Sequence, residues 1–322
     1  MTWILLFAGL LCLLFALGPR PKLNATKREH QVPDIPLDQL DRWLTESESQ
    51  IDDLIKGTEA CIQWADTSAP AQTDLSFLYL HGFSATWRET APVTEQIASQ
   101  FQANVVQGRI AGHGTGASGM LTPSEEWLQS TIDQFEIAQR IGKKVVIVAT
   151  STGAPLAVWL ATQSSIQQKL HACLFMSPNF RTRSPFGFLL TWPWSKYWIQ
   201  FFLGKERRWE PSSEAEARCW THQYSTLSLI QMQKTVDWAN KQNYENIETP
   251  LAMMYMENDA TIYPPAAIKV FERWGGQHKQ LSRVTIDGDA VEHVFAGNIT
   301  APHRIDWSVR EFTTFLQGIS ST

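Results

Sequence analysis

Residues 143–160 read KKVVIVATSTGAPLAVWL. A buried strand is written first, then Ala149, Thr150, Ser151, Thr152 and Gly153, then an apolar helix through Leu156, Val158 and Leu160. Small residues two places before and two places after Ser151 allow a sharp turn that would lift its Oγ above the edge of a sheet, the context a nucleophile elbow requires. Glycine is more usual at the first of those places, where this chain has Ala149. A serine capping an ordinary helix after a strand gives a similar pentapeptide. The surrounding chain has to separate the two readings.

On either side, short apolar runs alternate with longer helical patterns, the mark of a mostly parallel sheet flanked by helices. Strands are expected at residues 75–80, 104–107, 144–149, 172–176, 251–256 and 283–286, with helices between them and a last helix at 307–316. The strand at 75–80 runs into His81, Gly82 and Phe83, a glycine-bearing turn that can aim a backbone N–H at a developing negative charge. The expected oxyanion donors are the amides of Phe83 and Thr152. The strand at 251–256 ends in Glu257, Asn258 and Asp259, and His293 is the histidine that falls between the last strand and the last helix. Serine, acid and histidine thus occur in the order expected where loops at the carboxyl edge of one such sheet converge. Asp259 is the preferred acid because it lies just past a strand end and before a Pro-containing helix start; Glu257, Asp287 and Asp289 compete with it.

These residues carry a resemblance. From about residue 75 to 316 the chain resembles the α/β-hydrolase superfamily, in the branch of monoacylglycerol lipases, bacterial carboxylesterases and serine aminopeptidase-like hydrolases. The match rests on His81-Gly82-Phe83, the loop Arg109-Ile110-Ala111-Gly112-His113-Gly114, the Ser151 elbow, Asp259, and His293 with Val294. It implies an α/β-hydrolase fold and acyl transfer by Ser151, His293 and Asp259, with no metal or organic cofactor, and it gives His113 a structural place in the active-site rim. An HGF turn in place of HGGG argues against the hormone-sensitive-lipase type. Serine at the elbow argues against epoxide hydrolases and haloalkane dehalogenases. Ester, thioester and amide substrates use the same residues, and a catalytically silent binding protein could retain the fold.

Composition bounds the rest. The chain has 322 residues, 43% of them hydrophobic and 18% charged, with a formal net charge of -5. That suits a globular protein with a large core and leaves no basic footprint for nucleic acid. The four cysteines, Cys12, Cys61, Cys173 and Cys219, are too few and too scattered for a disulfide framework or a paired metal site. Four segments are expected: a hydrophobic leader (1–18), a linker and amphipathic helix (19–60, the helix over 36–55), a core (61–180 and 247–322), and an inserted cap (181–246) in which no clear strand falls. Trp192, Trp194, Trp198, Trp209 and Trp220 crowd the cap. Trp192, Trp194 and Trp198 are its expected substrate-binding residues, toward a small-molecule or lipid ester with an apolar acyl chain.

The leader, residues 2–17, carries no charge, and Arg20, Lys22, Lys27 and Arg28 follow it. It is expected to anchor the chain in a membrane with the body on the cytoplasmic side. Phe186, Phe188, Leu189, Leu190, Trp198, Phe201 and Phe202 of the cap would then lie near the bilayer. The alternative is a leader cleaved near Ala16 and Gly18, with a secreted or periplasmic body.

Overall fold

The computed structural model describes residues 2–284 and 292–320. Among them a seven-stranded sheet runs in the order β1 (Cys61–Gln63), β3 (Asn104–Gln107), β2 (Thr73–Leu80), β4 (Gly142–Thr150), β5 (Leu170–Met176), β8 (Leu251–Met256) and β9 (Lys279–Val284). β1 is antiparallel to β3, and the other neighbouring pairs are parallel. Parallel strands need crossovers, and helices supply them on both faces.

Successive residues of a strand point to opposite faces, so one apolar run feeds two cores. Leu78, Leu80, Ile147, Ala149, Phe175 and Met253 pack beneath α2 (Leu37–Ser49), α4 (Ser124–Ile141), α5 (Gly153–Ala161) and α10 (Pro264–Arg273). Their neighbours Phe77, Tyr79, Val146, Val148, Leu174 and Met254 pack on the other side against α3 (Val93–Gln100) and α11 (Ile305–Ser320). Every residue of α5 is buried, which explains why its sequence is apolar all round. A short α6 (Ser164–Gln167) follows it.

Several boundaries differ from expectation. β1 was not anticipated: it has three residues, of which only Ile62 is buried, too little to write a pattern. β9 begins at Lys279, four residues before the expected start at Arg283, and its leading residues are half-exposed. The expected end of that strand, Ile286, lies outside the described residues. The amphipathic helix stops at Ser49 and not at residue 55. Asp53 has φ 56°, and the Ile55 amide donates to the Gly114 carbonyl (2.8 Å), so the chain leaves the helix to join the 109–114 loop.

Between β5 and β8 lie α7 (Ser195–Leu203), α8 (Glu214–Cys219), α9 (Ser228–Ala239) and an antiparallel pair, β6 (Glu206–Arg208) with β7 (Gln223–Ser225). No strand was expected there. Glu-Arg-Arg and Gln-Tyr-Ser carry no apolar alternation, and backbone hydrogen bonds between exposed segments hold this pair together.

The expected membrane anchor is overturned. Helix α1 (Thr2–Ala16) has 15 residues, a length of about 22 Å against a hydrocarbon core of about 30 Å. No described helix is long and apolar enough to cross a membrane. The cytoplasmic placement and the bilayer contact of the cap residues rested on that anchor, and they fall with it. The end of α1 instead meets the 181–246 segment: Phe15 packs edge-on to Trp192 (5.9 Å), and the Trp194 amide donates to the Pro19 carbonyl (2.9 Å). Residues beyond it lie along the body. The Asn24 amide donates to Glu125 Oε1 (3.0 Å), the Trp159 indole N–H to the Ala25 carbonyl (3.1 Å) and Arg140 to the Pro33 carbonyl (2.6 Å).

Candidate active site

Leu80 of β2 stands opposite Ala149 of β4, so the turns after the two strands leave the sheet side by side. From β2 the chain crosses to β3 on one side, and it then returns to β4 on the other. The crevice at such a switch point, outside the carboxyl ends of the strands, is where open α/β sheets place ligand sites.

Ser151 sits at the turn after β4 with φ 52°, a left-handed conformation that costs a non-glycine residue roughly 1–2 kcal/mol. Its surroundings enforce it. The Ser151 amide donates to the Met176 carbonyl at the end of β5 (3.0 Å), and its carbonyl accepts from Asn179 N–H (2.8 Å). At Gly153 a Cβ would overlap the Leu80 carbonyl oxygen, so the residue two places after the serine has no room for a side chain. Ala149, the unusual residue two places before it, fits fully buried.

Three loops bring their side chains together here. His293 Nε2 is 2.8 Å from Ser151 Oγ, and His293 Nδ1 is 2.7 Å from Asp259 Oδ2. A carboxylate can only accept, so Nδ1 carries the proton, and Nε2 is left to accept the Ser151 hydroxyl hydrogen. Asp259 is 0% exposed. Its other oxygen accepts from the amides of Thr261 (2.8 Å) and Ile262 (3.0 Å). Burial alone would raise this carboxyl, but the hydrogen bond and charge of His293 and the two amides outweigh it and hold Asp259 below the usual aspartate range. Of its competitors, Glu257 is exposed and pairs with Arg283 (3.1 Å). Asp287 and Asp289 lie outside the described residues.

A cavity of about 590 Å³ opens over this line, and Phe83, Thr152, Ser151 and His293 all border it. Among the described residues no protein acceptor engages the amides of Phe83 or Thr152. The turn that carries Phe83 is braced from behind: His81 Nδ1–H donates to the Gly82 carbonyl (2.9 Å), and His81 Nε2 accepts from Ile110 N–H (2.9 Å). Burial depresses His81 far below the ordinary histidine value, so the ring stays neutral and can accept. The rim loop is held in turn by Arg109, which donates to both oxygens of Glu48 (2.6 and 3.0 Å). His113 is buried against Phe83 and Trp127, and desolvation lowers it to about 4. It does not border the Ser151 cavity.

Of the expected substrate tryptophans, none borders the Ser151 cavity itself. Trp192 and Trp198 border a second, apolar chamber of about 840 Å³, and Trp194 borders neither space. The indole of Trp194 faces Gly18, just past the end of α1, where any side chain would collide with it. Trp209, Trp220, Tyr224 and Glu89 border the Ser151 cavity and were not anticipated as site residues. The two tryptophans were legible as members of an aromatic cluster, but nothing in the pattern ranks one ring above another. The two chambers share Thr182, Arg207, Leu229 and Met232 along their border.

The sequence model of the alpha/beta hydrolase family matches residues 77–303. The chain belongs to the alpha/beta hydrolase family. No curated protein matches this hydrolase. Among solved structures it is similar to a metagenome-derived lipolytic enzyme of the LipS and LipT pair, at 15% identity and TM-score 0.64 over 82% of this chain and 99% of that one. It is also similar to the monoacylglycerol lipase of Paleococcus ferrophilus, at 15% identity and TM-score 0.58 over 82% and 100%. A third is Est1E of Butyrivibrio proteoclasticus with ferulic acid bound, at 11% identity and TM-score 0.54 over 84% and 99%. At these identities the likeness is one of fold.

Proposed function

We propose that this hydrolase cleaves carboxylic esters of apolar acyl chains through an acyl-enzyme on Ser151. The observation that carries the reading is the unbroken line from Ser151 Oγ to His293 Nε2 (2.8 Å) and from His293 Nδ1 to Asp259 Oδ2 (2.7 Å). His293 takes the serine proton as Oγ attacks the ester carbonyl, and Asp259 keeps the imidazole in the required tautomer and stabilises the imidazolium. The amides of Phe83 and Thr152 receive the oxyanion. His293 then returns the proton to the leaving alcohol, and water, activated by the same imidazole, releases the acid. The lipolytic and esterase activities named for the structural neighbours agree with this chemistry.

The preference for an apolar acyl chain is supported by the 840 Å³ chamber, which Phe15, Leu190, Trp192, Trp198, Ile199 and Phe202 border and which adjoins the Ser151 cavity. A flexible chain placed there would leave water for an almost wholly apolar lining. The test is a p-nitrophenyl ester series from acetate to palmitate on the full chain, beside its Ser151→Ala form. Activity is expected to peak at medium or long chains, and the variant should retain no more than the ~10³ to 10⁴ over water that binding and oxyanion contacts can supply. Full activity of Ser151→Ala would overturn the mechanism. A steady decline from acetate would overturn the acyl preference.

A further inference from the structure

Glu89 is a buried carboxyl at the site to which the mechanism above gives no task. It ends the short turn Trp87–Glu89 that follows the His81-Gly82-Phe83 segment, it is 1% exposed, and it borders the Ser151 cavity. One of its oxygens, Oε1, accepts from the Gly82 amide (2.6 Å) and from the Tyr79 hydroxyl (2.9 Å). The Tyr79 oxygen also lies 2.9 Å from Thr150 Oγ1. A phenol has one proton, so Tyr79 donates to Glu89 and accepts from Thr150. The chain of bonds therefore runs from the residue before Ser151 to the residue before Phe83. Gly82 has no side chain to keep these parts apart. A Cβ there would sit 3.1 Å from the Ser151 Cβ and 3.2 Å from Glu89 Oε2.

We propose that Glu89 is a positioning residue for the oxyanion site: by tying the Gly82 amide to the Tyr79–Thr150 pair, it sets the separation of the Phe83 and Thr152 N–H groups. The proposal rests on the serine-hydrolase reading. A bond to the Gly82 amide fixes the peptide plane on one side of Gly82, and the His81 ring holds the carbonyl of the next plane, which carries the Phe83 N–H, so the two bonds together define a turn that Gly82, with no steric preference of its own, would leave free. The opposite end of the chain of bonds holds Thr150, whose backbone leads into Ser151 and Thr152. Donors aimed in advance at the place where charge develops are worth most when they do not have to reorganise.

The experiment compares wild type, Glu89→Ala, Glu89→Gln and Tyr79→Phe as full chains. It reads kcat and KM on one p-nitrophenyl ester, affinity for a trifluoromethyl ketone of the same acyl chain, and labelling of Ser151 by a fluorophosphonate. Glu89→Ala is expected to lose about a hundredfold in kcat, the scale of one lost oxyanion donor, with KM nearly unchanged and ketone affinity reduced in parallel. Glu89→Gln keeps an oxygen for both donors and should recover most of that loss. Tyr79→Phe leaves the core ring in place and breaks one link, so it should show a smaller, parallel loss and keeps the proposal testable if Glu89→Ala fails to fold. Retention of kcat within about threefold in both Glu89→Ala and Tyr79→Phe, or a fall in kcat with ketone affinity intact, would overturn the positioning role while labelled wild type leaves the serine reading standing. Wild type that is folded but unlabelled at Ser151 would remove both.

Discussion

Replacing Glu89 by glutamine should change the pH dependence of stability by a calculable amount. Burial pushes the Glu89 carboxyl from its ordinary value of 4.5 up to about 7, against the opposing pull of the Gly82 amide, the Tyr79 hydroxyl and the His293 charge. Below pH 4.5 the group is protonated in both the folded and the unfolded chain and adds no pH dependence. Between 4.5 and 7 the unfolded chain has released this proton and the folded chain has not, so stability falls as pH rises. Above 7 the loss is complete. A shift of that size corresponds to about 3 kcal/mol at 1.36 kcal/mol per unit. The glutamine side chain cannot ionise, and its amide oxygen can serve both donors. Relative to wild type, the Glu89→Gln variant should therefore gain about 3 kcal/mol between pH 4.5 and pH 8. Urea unfolding of both proteins across that range measures the difference directly. Contributions from other groups largely cancel in it, including Asp259, whose depressed carboxyl acts in the opposite sense and loses stability as pH falls. A difference that stays flat, or a variant less stable at pH 8 than at pH 4.5 relative to wild type, would refute the reasoning.

Other perturbations probe other joints of the structure. Asp259→Asn keeps an oxygen for the Thr261 and Ile262 amides but holds His293 in the wrong tautomer, so kcat should drop by about 10⁴ with the melting temperature little changed. Gly153→Ala drives a Cβ into the Leu80 carbonyl oxygen, which belongs to a central strand and cannot retreat; a cost of at least about 3 kcal/mol in urea unfolding is expected. Glu48→Leu strands the buried Arg109 guanidinium and should cost about 3 to 5 kcal/mol, whereas the double change with Arg109→Met should restore most of it. Trp192→Ala removes a wall of the apolar chamber. It should raise KM for dodecanoate esters several-fold and leave butyrate esters unaffected, as steady-state kinetics on the two chain lengths will show.

Most of the parallel strands were readable because each is covered on both faces, so that residues 75–80, 144–149, 172–176 and 251–256 are nearly continuous apolar runs. β1, β6 and β7 escaped for the opposite reason: each is three residues long, only Ile62 among their residues is buried, and backbone pairing defines them. Ser151, His293 and, among several acids, Asp259 could be named as candidates from chain order, because each follows a strand whose end lies at one edge of the sheet. Glu89 could not. A glutamate on a short polar turn has no pattern that announces burial, and its neighbours Tyr79 and Gly82 become partners only when the turn folds back over the end of β2. The leader shows the same limit. Its apolarity was plain, but that Phe15 in the last turn of a 15-residue helix meets Trp192, and Gly18 just beyond it meets Trp194, is a matter of contacts.

What residue order alone determined was the α/β architecture, the strand–turn–helix setting of Ser151 and the chain order of a candidate alcohol, acid and imidazole, since periodicity and small-residue spacing are local properties of a chain. The tertiary structure decided which acid reaches the imidazole, which rings border the cavity, where the amphipathic helix ends and which carboxyl lies buried behind the oxyanion turn. Those depend on distances between segments as far apart in sequence as Ser151 and His293. Only the packing of the sheet and its helices sets such distances.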